Sequence, residues 1–455
     1  MFFTTGLADQ YIQQNKEKVN PKHRLSYHLM PPVGWMNDPN GLIYFNDEYH
    51  VFYQFYPYDS VWGPMHWGHA VSKDLVNWKH MPVALSPDQE NGCFSGGAVV
   101  YNDMLYLLYT SHFDSKEQVQ VQSLAYSKDG VVFEKHQNNP ILDAKDLPKH
   151  ASKKDFRDPN PIEIDGKYFL LVGSKDDQNV GQILIYQTED FVHYTYLNKI
   201  GPHPLFGDMA ECPDLFELDG KHVLMVSSQH LPKDGNRYQN VNSCLYMVGD
   251  FNTTTGDFVI EFSEEIDLGH HFYAPQTLFD GKKRIMFSWM EMWGKPTLTH
   301  ELSHHWSGSL TIPRILTLEN NRLIQKPIDL SVHQKHIIHQ QDFNSHQTFL
   351  NLEKQLRIRF KAEVNEELIL RFEGNENDHV DIIIKDEKIL FDASQNRLYP
   401  LNLRMTNQNY QGMIDLDVLL DTSSIEIFIQ NGLETITSRV YFDVDLISVK
   451  LLGHA

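Results

Sequence analysis

The sequence predicts an all-β protein, a five-bladed β-propeller followed by a C-terminal β-sandwich, and three observations carry that reading. First, five segments join a turn dipeptide to an apolar, β-rich run. They are Asn46-Asp47 before EYHVFYQF, Asn102-Asp103 before MLYLLYTS, Asp165-Gly166 before KYFLLVGS, Asp219-Gly220 before KHVLMVSS and Asp280-Gly281 before KKRIMFSW. Second, these hairpin signals recur at intervals of 54 to 63 residues, room for one four-stranded unit each. Third, the last hundred or so residues carry short alternating runs: QLRIRFKAEV from Gln355, HVDIIIKD from His379, GMIDLDVLLD from Gly412 and SSIEIFIQNG from Ser423.

Each element follows from these signals. A further mark repeats in the first three units: SKDLVNW at 72–78, SKDGVVF at 127–133 and TEDFVHY at 188–194. A series of hairpins in an ordinary sandwich would carry similar turns but gives no reason for matched spacing, whereas blades around a channel do. After WSGSLTIPR at 306–314 the pattern changes. Residues 315 to about 345 are polar, His- and Gln-rich and unrepeated, and read as a connector containing the domain boundary. The alternation beyond it marks half-buried antiparallel strands, enough for a sandwich. The division is residues 1–335 for the propeller with its N-terminal extension and connector, and 336–455 for the sandwich.

Composition bounds the function. A length of 455 residues suits about three domains at the usual size, although all-β units run longer. Hydrophobic residues at 41% and charged residues at 22% describe a folded, soluble chain with no span long enough to cross a bilayer. With 39 Lys+Arg against 60 Asp+Glu, the net charge of −21 repels nucleic acid and acidic lipid alike. Cys93, Cys212 and Cys244 are an odd set without Cys-x-x-Cys spacing, against both a disulfide framework and structural zinc. The start, MFFTTGLADQYIQQNKEKV, lacks the features of a secretory signal, so the expected compartment is the cytoplasm.

The repeat also points to chemistry. If the strand before each hairpin turn is the innermost of its blade, residues seven or eight positions before the turns converge on one channel mouth. Those residues are Asp38, Ser95, Asp158, Glu211 and Tyr273. Singly, the contexts WMNDPNG, FRDPN and ECPDLF have ordinary readings as turns and strand ends. Together, three carboxylates at matched positions would repel one another and raise the pKa of at least one, an arrangement kept for binding a cation or for acid/base and nucleophilic work. A Ca²⁺ site lacks a closely spaced ligand loop, and His66 and His69, a pair at zinc spacing, read as packing. No metal or cofactor is expected. Retaining glycoside hydrolysis needs two carboxyl groups about 5–5.5 Å apart, which channel-facing strands of neighbouring blades can supply. Trp35, Tyr53, Phe94, Trp289 and Trp293 offer apolar faces for a sugar ring, while Asn37, Gln54 and Ser95 offer hydrogen bonds to hydroxyls.

The blocks WMNDPNG at 35–41, FRDP at 156–159 and ECP at 211–213 closely resemble the signatures of glycoside hydrolase family 32, the invertases, fructanases and sucrose-6-phosphate hydrolases. FYQ at 52–54, HWGH at 66–69, FSGG at 94–97, FYAPQ at 272–276, WSGSLTIPR at 306–314 and SSIEIF at 423–428 follow in family order. The resemblance implies the same propeller and sandwich. It also implies Asp38 as nucleophile, Glu211 as general acid and then base, and Asp158 as transition-state stabiliser. Asn37, Gln54, Trp62, Phe94, Ser95, Arg157, Tyr273 and Trp293 become the sugar contacts. Strict strand alternation points Arg157 away from Asp158, so both reach the sugar only if the strand is bulged there.

The expected activity is a retaining β-fructofuranosidase that hydrolyses the fructosyl bond of sucrose, sucrose 6-phosphate or short fructosides. A relative on the same scaffold that cleaves arabinan or transfers fructosyl units, and a non-catalytic sugar-binding propeller, are the alternatives. The first is opposed by the WMNDPNG and ECP forms, the second by the presence of all three carboxylates. The only expected partner is the sugar substrate. The sandwich is expected to cover apolar propeller surface or to form a homodimer contact.

Overall fold

The computed structural model describes residues 3–339, 348–363, 367–375 and 377–453. Nearly all of its regular structure is strand. Five antiparallel sheets follow one another along the chain, each built in sequence order. The first comprises Gly34–Phe45, Glu48–Tyr56, His66–Ser72 and Lys79–His80, and the second Gly92–Tyr101, Met104–His112, Gln120–Ser127 and Glu134–Lys135. The third comprises Ala151–Ile164, Lys167–Asp176, Gly181–Thr188 and Tyr194–Ile200, and the fourth Ala210–Leu218, Lys221–Gln229, Asn242–Phe251 and Phe258–Glu265. The fifth comprises Tyr273–Phe279, Arg284–Trp289, Arg314–Glu319 and Arg322–Pro327. The first strands of consecutive sheets pack against one another, and that of the fifth packs against that of the first. Trp306–Ser307 pairs in parallel with Gly34 and Trp35, tying the end of this region to its beginning.

The repeated sequence marks are repeated conformations. At Asn46-Asp47, Asn102-Asp103, Asp165-Gly166 and Asp219-Gly220 both residues have positive φ, the geometry that matches strand twist in a two-residue hairpin. The fifth turn differs: Asp280 Oδ1 accepts from the backbone N–H of Lys282 and Lys283, and only Gly281 has positive φ. The second mark is a turn closed by side chains. Ser72 Oγ accepts from Leu75 N–H and Asp74 Oδ1 from Val76 and Asn77; Ser127 and Asp129, then Thr188 and Asp190, repeat the pattern.

The region assigned to a connector requires correction. Arg314–Glu319 and Arg322–Pro327 complete the fifth sheet, so residues 315–327 are two strands and their turn and not linker. Half of the residues in these two strands are polar, Arg314, Thr317, Glu319, Arg322, Gln325 and Lys326, and that composition concealed them. Residues 340–345 of that segment lie outside the described ones. The helix Thr5–Asn15, capped by Thr4 Oγ1 accepting from Leu7 N–H, was also not anticipated.

Beyond residue 336 a five-stranded and a six-stranded sheet share one apolar core. Ile358, Leu416, Val418 and Ile427 come from one sheet, Phe372, Ile382, Phe391 and Val449 from the other. The junction with the first five sheets is polar and buried. Arg314, with no solvent exposure, donates to Asp267 (3.1 Å) and Gln325 (2.8 Å) on its own side and to Glu426 (2.7 Å), Thr435 (3.1 Å) and Thr437 (2.6 Å) across the junction.

Candidate active site

Each of the five first strands carries one extra residue at a matched place. Met36 pairs with Phe55 and Pro39 with Tyr53; Phe94 with Thr110 and Gly96 with Tyr109; Arg157 with Gly173 and Asn160 with Leu171. Glu211 pairs with Ser227 and Asp214 with Met225; Tyr273 pairs with Trp289 and Gln276 with Phe287. These are β-bulges, which re-aim side chains at the point where they occur. Asp158, Cys212 and Ala274 sit in them with φ of 62°, 47° and 52°. The bulge at Asp158 resolves the alternation problem: Arg157 and Asp158 both line the same cavity. Proline follows the strained residue at Pro159, Pro213 and Pro275, where a missing N–H costs the ladder nothing. At Gly96 the strands are so close that a Cβ would lie 1.9 Å from the Leu108 carbonyl oxygen.

The bulges open on a cavity of about 450 Å³. All eleven residues expected from the sequence line it: Asn37, Asp38, Gln54, Trp62, Phe94, Ser95, Arg157, Asp158, Glu211, Tyr273 and Trp293. Of the anticipated sugar-facing aromatics, Trp35, Tyr53 and Trp289 do not. They are buried behind the wall, Trp35 donating to Asn37 Oδ1 at 2.8 Å and packing on Trp289 and Trp293, while Tyr53 lies beside His80. Alternation accounts for Tyr53, since its neighbour Gln54 takes the cavity face. Phe94 stacks on His112 at 4.3 Å, and Trp62, 48% exposed, meets its edge. His66 and His69 are separately engaged, His66 with the Pro64 carbonyl and His69 with His50 and the Phe52 ring.

Three carboxylates from three sheets meet here, each differently held. Asp38 accepts from Ser95 Oγ at 2.8 Å and from Asn37 Nδ2 at 3.1 Å. Burial pushes its pKa up to about 6, with the Glu211 charge adding to the effect and the two hydrogen bonds opposing it. Asp158 accepts from Cys212 N–H at 2.9 Å, and its own N–H donates to Thr110 Oγ1. Burial, reinforced by Glu211 and Asp38 and opposed by Arg157, raises its pKa to about 7. The Cys212 thiol lies 3.6 Å from Asp158 Oδ2 and 3.8 Å from Asp38 Oδ2, and burial keeps it protonated, a weak donor between two anions. Glu211 is gripped from both sides: Arg157 donates through Nε and Nη2 to Oε1, and the Tyr273 hydroxyl donates to Oε2.

Residues 28–327 match the model of the glycosyl hydrolases family 32 N-terminal domain, and residues 325–450 that of the family 32 C-terminal domain. The chain belongs to glycoside hydrolase family 32. A sucrose-6-phosphate hydrolase of Escherichia coli is 36% identical to this family 32 chain over 443 residues, 91% of this chain and 88% of the other. Among solved structures, a Bombyx mori family 32 β-fructofuranosidase superposes with a TM-score of 0.85 at 35% identity, covering 99% of this chain and 95% of that one. A Lactobacillus gasseri sucrose-6-phosphate hydrolase does so with a TM-score of 0.82 at 25% identity and 99% coverage of both. The protein is therefore a glycoside hydrolase.

Six further residues line the family 32 cavity without any signal in the motifs: Gln120, Gln229, His230, Val241, Asn242 and Gly294. Gln120 takes its place through the strand ladder of the second sheet; its Oε1 accepts from Arg157 Nη1 and Phe156 N–H. Gln229 and Asn242 face one another across two neighbouring strands of the fourth sheet, a relationship no local pattern encodes.

Proposed function

We propose that this enzyme is a retaining β-fructofuranosidase hydrolysing the fructosyl bond of sucrose, sucrose 6-phosphate or short fructosides. The observation that carries the reading is the meeting of Asp38, Asp158 and Glu211, from three different sheets, in one cavity of disaccharide size. Asp38 attacks the anomeric carbon and forms a fructosyl ester, while Glu211 gives a proton to the departing oxygen. Glu211 then takes a proton from the water that cleaves the ester, and the leaving sugar has gone before water enters. Asp158 holds fructose hydroxyls while charge develops on the ring. Arg157 and Tyr273 fix the Glu211 carboxyl so that it meets the glycosidic oxygen without reorientation.

The architecture that fits this role is a five-bladed propeller, its blades the five successive sheets, with a β-sandwich after it. The boundary falls near residue 336, in keeping with the pairing of His336 to Leu356 within the second unit. A cytoplasmic location accords with three free, buried cysteines. Among the described residues no helix is long and apolar enough to cross a membrane. The test is fructose release from sucrose by the full chain and by Asp38→Ala, with a mass increase of one fructosyl unit sought on Glu211→Gln. Loss of turnover in the first and the labelled ester in the second support the assignment; near-normal turnover of Asp38→Ala defeats it.

A further inference from the structure

Gln229 and Asn242 are direct cross-strand partners in the fourth sheet, and both line the catalytic cavity. The ladder fixes which way they face. Glu211 pairs with Ser227, and Ser227 with Cys244. Gln229 lies two residues from Ser227 and Asn242 two from Cys244, so alternation brings both to the Glu211 face, about 7 Å further along the strands. Asn242 is only 4% exposed, and its Oδ1 is buried without a donor. Among the described residues neither amide side chain has a hydrogen-bond partner.

A buried amide without partners is costly, and an apolar side chain of the same size would fit more cheaply. The buried Asn242 oxygen, with the half-buried Gln229 amide beside it at the cavity wall, is completed by a ligand that both donates and accepts, as sugar hydroxyls do. Their place selects which sugar. Glu211 protonates the departing oxygen, so the leaving group lies against Glu211, and the amides stand in the next row outward. The basic side chains that line the cavity are already engaged. Arg157 is the guanidinium of the cavity wall and is held by Glu211 and Asp155, while His230 turns Nδ1 to Asp208 at 3.1 Å.

We propose that Gln229 and Asn242 are specificity-determining residues that form the leaving-group subsite and take a neutral, hydroxyl-bearing sugar in preference to a phosphorylated one. This rests on the fructosyl-hydrolase reading above. The test compares kcat/KM of the full chain for sucrose, sucrose 6-phosphate and p-nitrophenyl β-fructofuranoside, whose leaving group carries no sugar hydroxyls. The wild type is expected to use sucrose at least as well as sucrose 6-phosphate. In Gln229→Leu and Asn242→Leu the ratio of sucrose to aryl-fructoside kcat/KM should fall about tenfold, mostly through KM, with no loss of melting temperature. Asn242→Ser, which restores one hydroxyl, should recover part of the ratio, and it carries the comparison if the leucine variant does not fold. An unchanged ratio, an equal loss on both substrates or a tenfold wild-type preference for sucrose 6-phosphate would overturn the proposal. Absence of fructose release from all three substrates by the wild type would instead remove the reading on which it rests.

Discussion

Arg157 donates to one oxygen of Glu211 through two nitrogens, Nε at 3.1 Å and Nη2 at 2.8 Å, from a bulge that sends its neighbour Asp158 to the same cavity. The fork of a guanidinium allows this; an ammonium does not reproduce it. Arg157→Lys therefore keeps a positive charge but loses one of the two charge-assisted bonds, each contributing about 1.5–3 kcal/mol in such settings. The expected result is a fall in kcat/KM on sucrose of roughly 10- to 100-fold with the far-UV spectrum unchanged. Activity within threefold of wild type would show that Glu211 is positioned by other groups, Tyr273 first among them.

The pH dependence follows from Asp38. Attack requires the carboxylate, and burial places its pKa at about 6. Below that value the nucleophile is protonated, so kcat/KM should drop about tenfold per pH unit on the acid side, with the limb centred near pH 6 and not near 4. Asp158, at about 7, titrates in the same cluster, so the limb belongs to the pair and can appear broadened. Ser95→Ala removes the 2.8 Å donor to the Asp38 carboxylate and should move the limb to higher pH. A profile flat from pH 7 to pH 4.5 would contradict the placement of Asp38.

Stability runs the other way. A carboxyl whose folded pKa is raised contributes stability below its unfolded value of about 3.8, and this is lost as pH rises through the folded value of about 6. At pH 7 ionised Asp38 is therefore a burden on the fold. Asp38→Asn removes it, and after allowance for the opening of the cavity to solvent the gain is about 1–2 kcal/mol, a few degrees in Tm. The gain should be absent at pH 3.5 and complete by pH 7. Calorimetry of the two proteins across that range checks the sign, and a lower Tm for the variant at pH 7 would refute it.

What the sequence disclosed and what it concealed have one physical cause. Turn dipeptides with positive φ leave a local trace, so Asn46-Asp47 and its counterparts reported the hairpins, and a fixed distance back from each turn reported Asp38, Ser95, Asp158, Glu211 and Tyr273. The capped turns at Asp74, Asp129 and Asp190 were visible for the same reason, since their bonds span three residues. Long-range pairing leaves no such trace. Asn242 reaches the cavity through register with Gln229, and Arg314–Glu319 joins the fifth sheet across the intervening segment from Trp289, so neither could be read locally. Tyr53 and Trp289 show the converse error: their aromatic character was visible, but not the face of the strand they take.

Arg314 joins the two parts of the molecule, and its replacement tests whether they are stable apart. The side chain is wholly buried between the Phe272 and Phe428 rings, with Asp267 on one side and Glu426 on the other. Although burial pushes the Glu426 pKa up, the Arg314 charge and the His28 hydrogen bond outweigh it and hold the carboxyl below its usual range. Arg314→Met takes the guanidinium from Asp267 and Glu426, both buried, a change that costs about 3–5 kcal/mol when one partner of a buried pair is removed. We expect Tm to fall by on the order of 10 °C, with both units melting in a single transition because each loses the same contact. A chain ending at residue 335 would expose Arg314 and the Phe272 face together, and it is expected to aggregate. If that fragment were instead soluble and melted with the wild-type protein, the second unit would have no structural role at this junction.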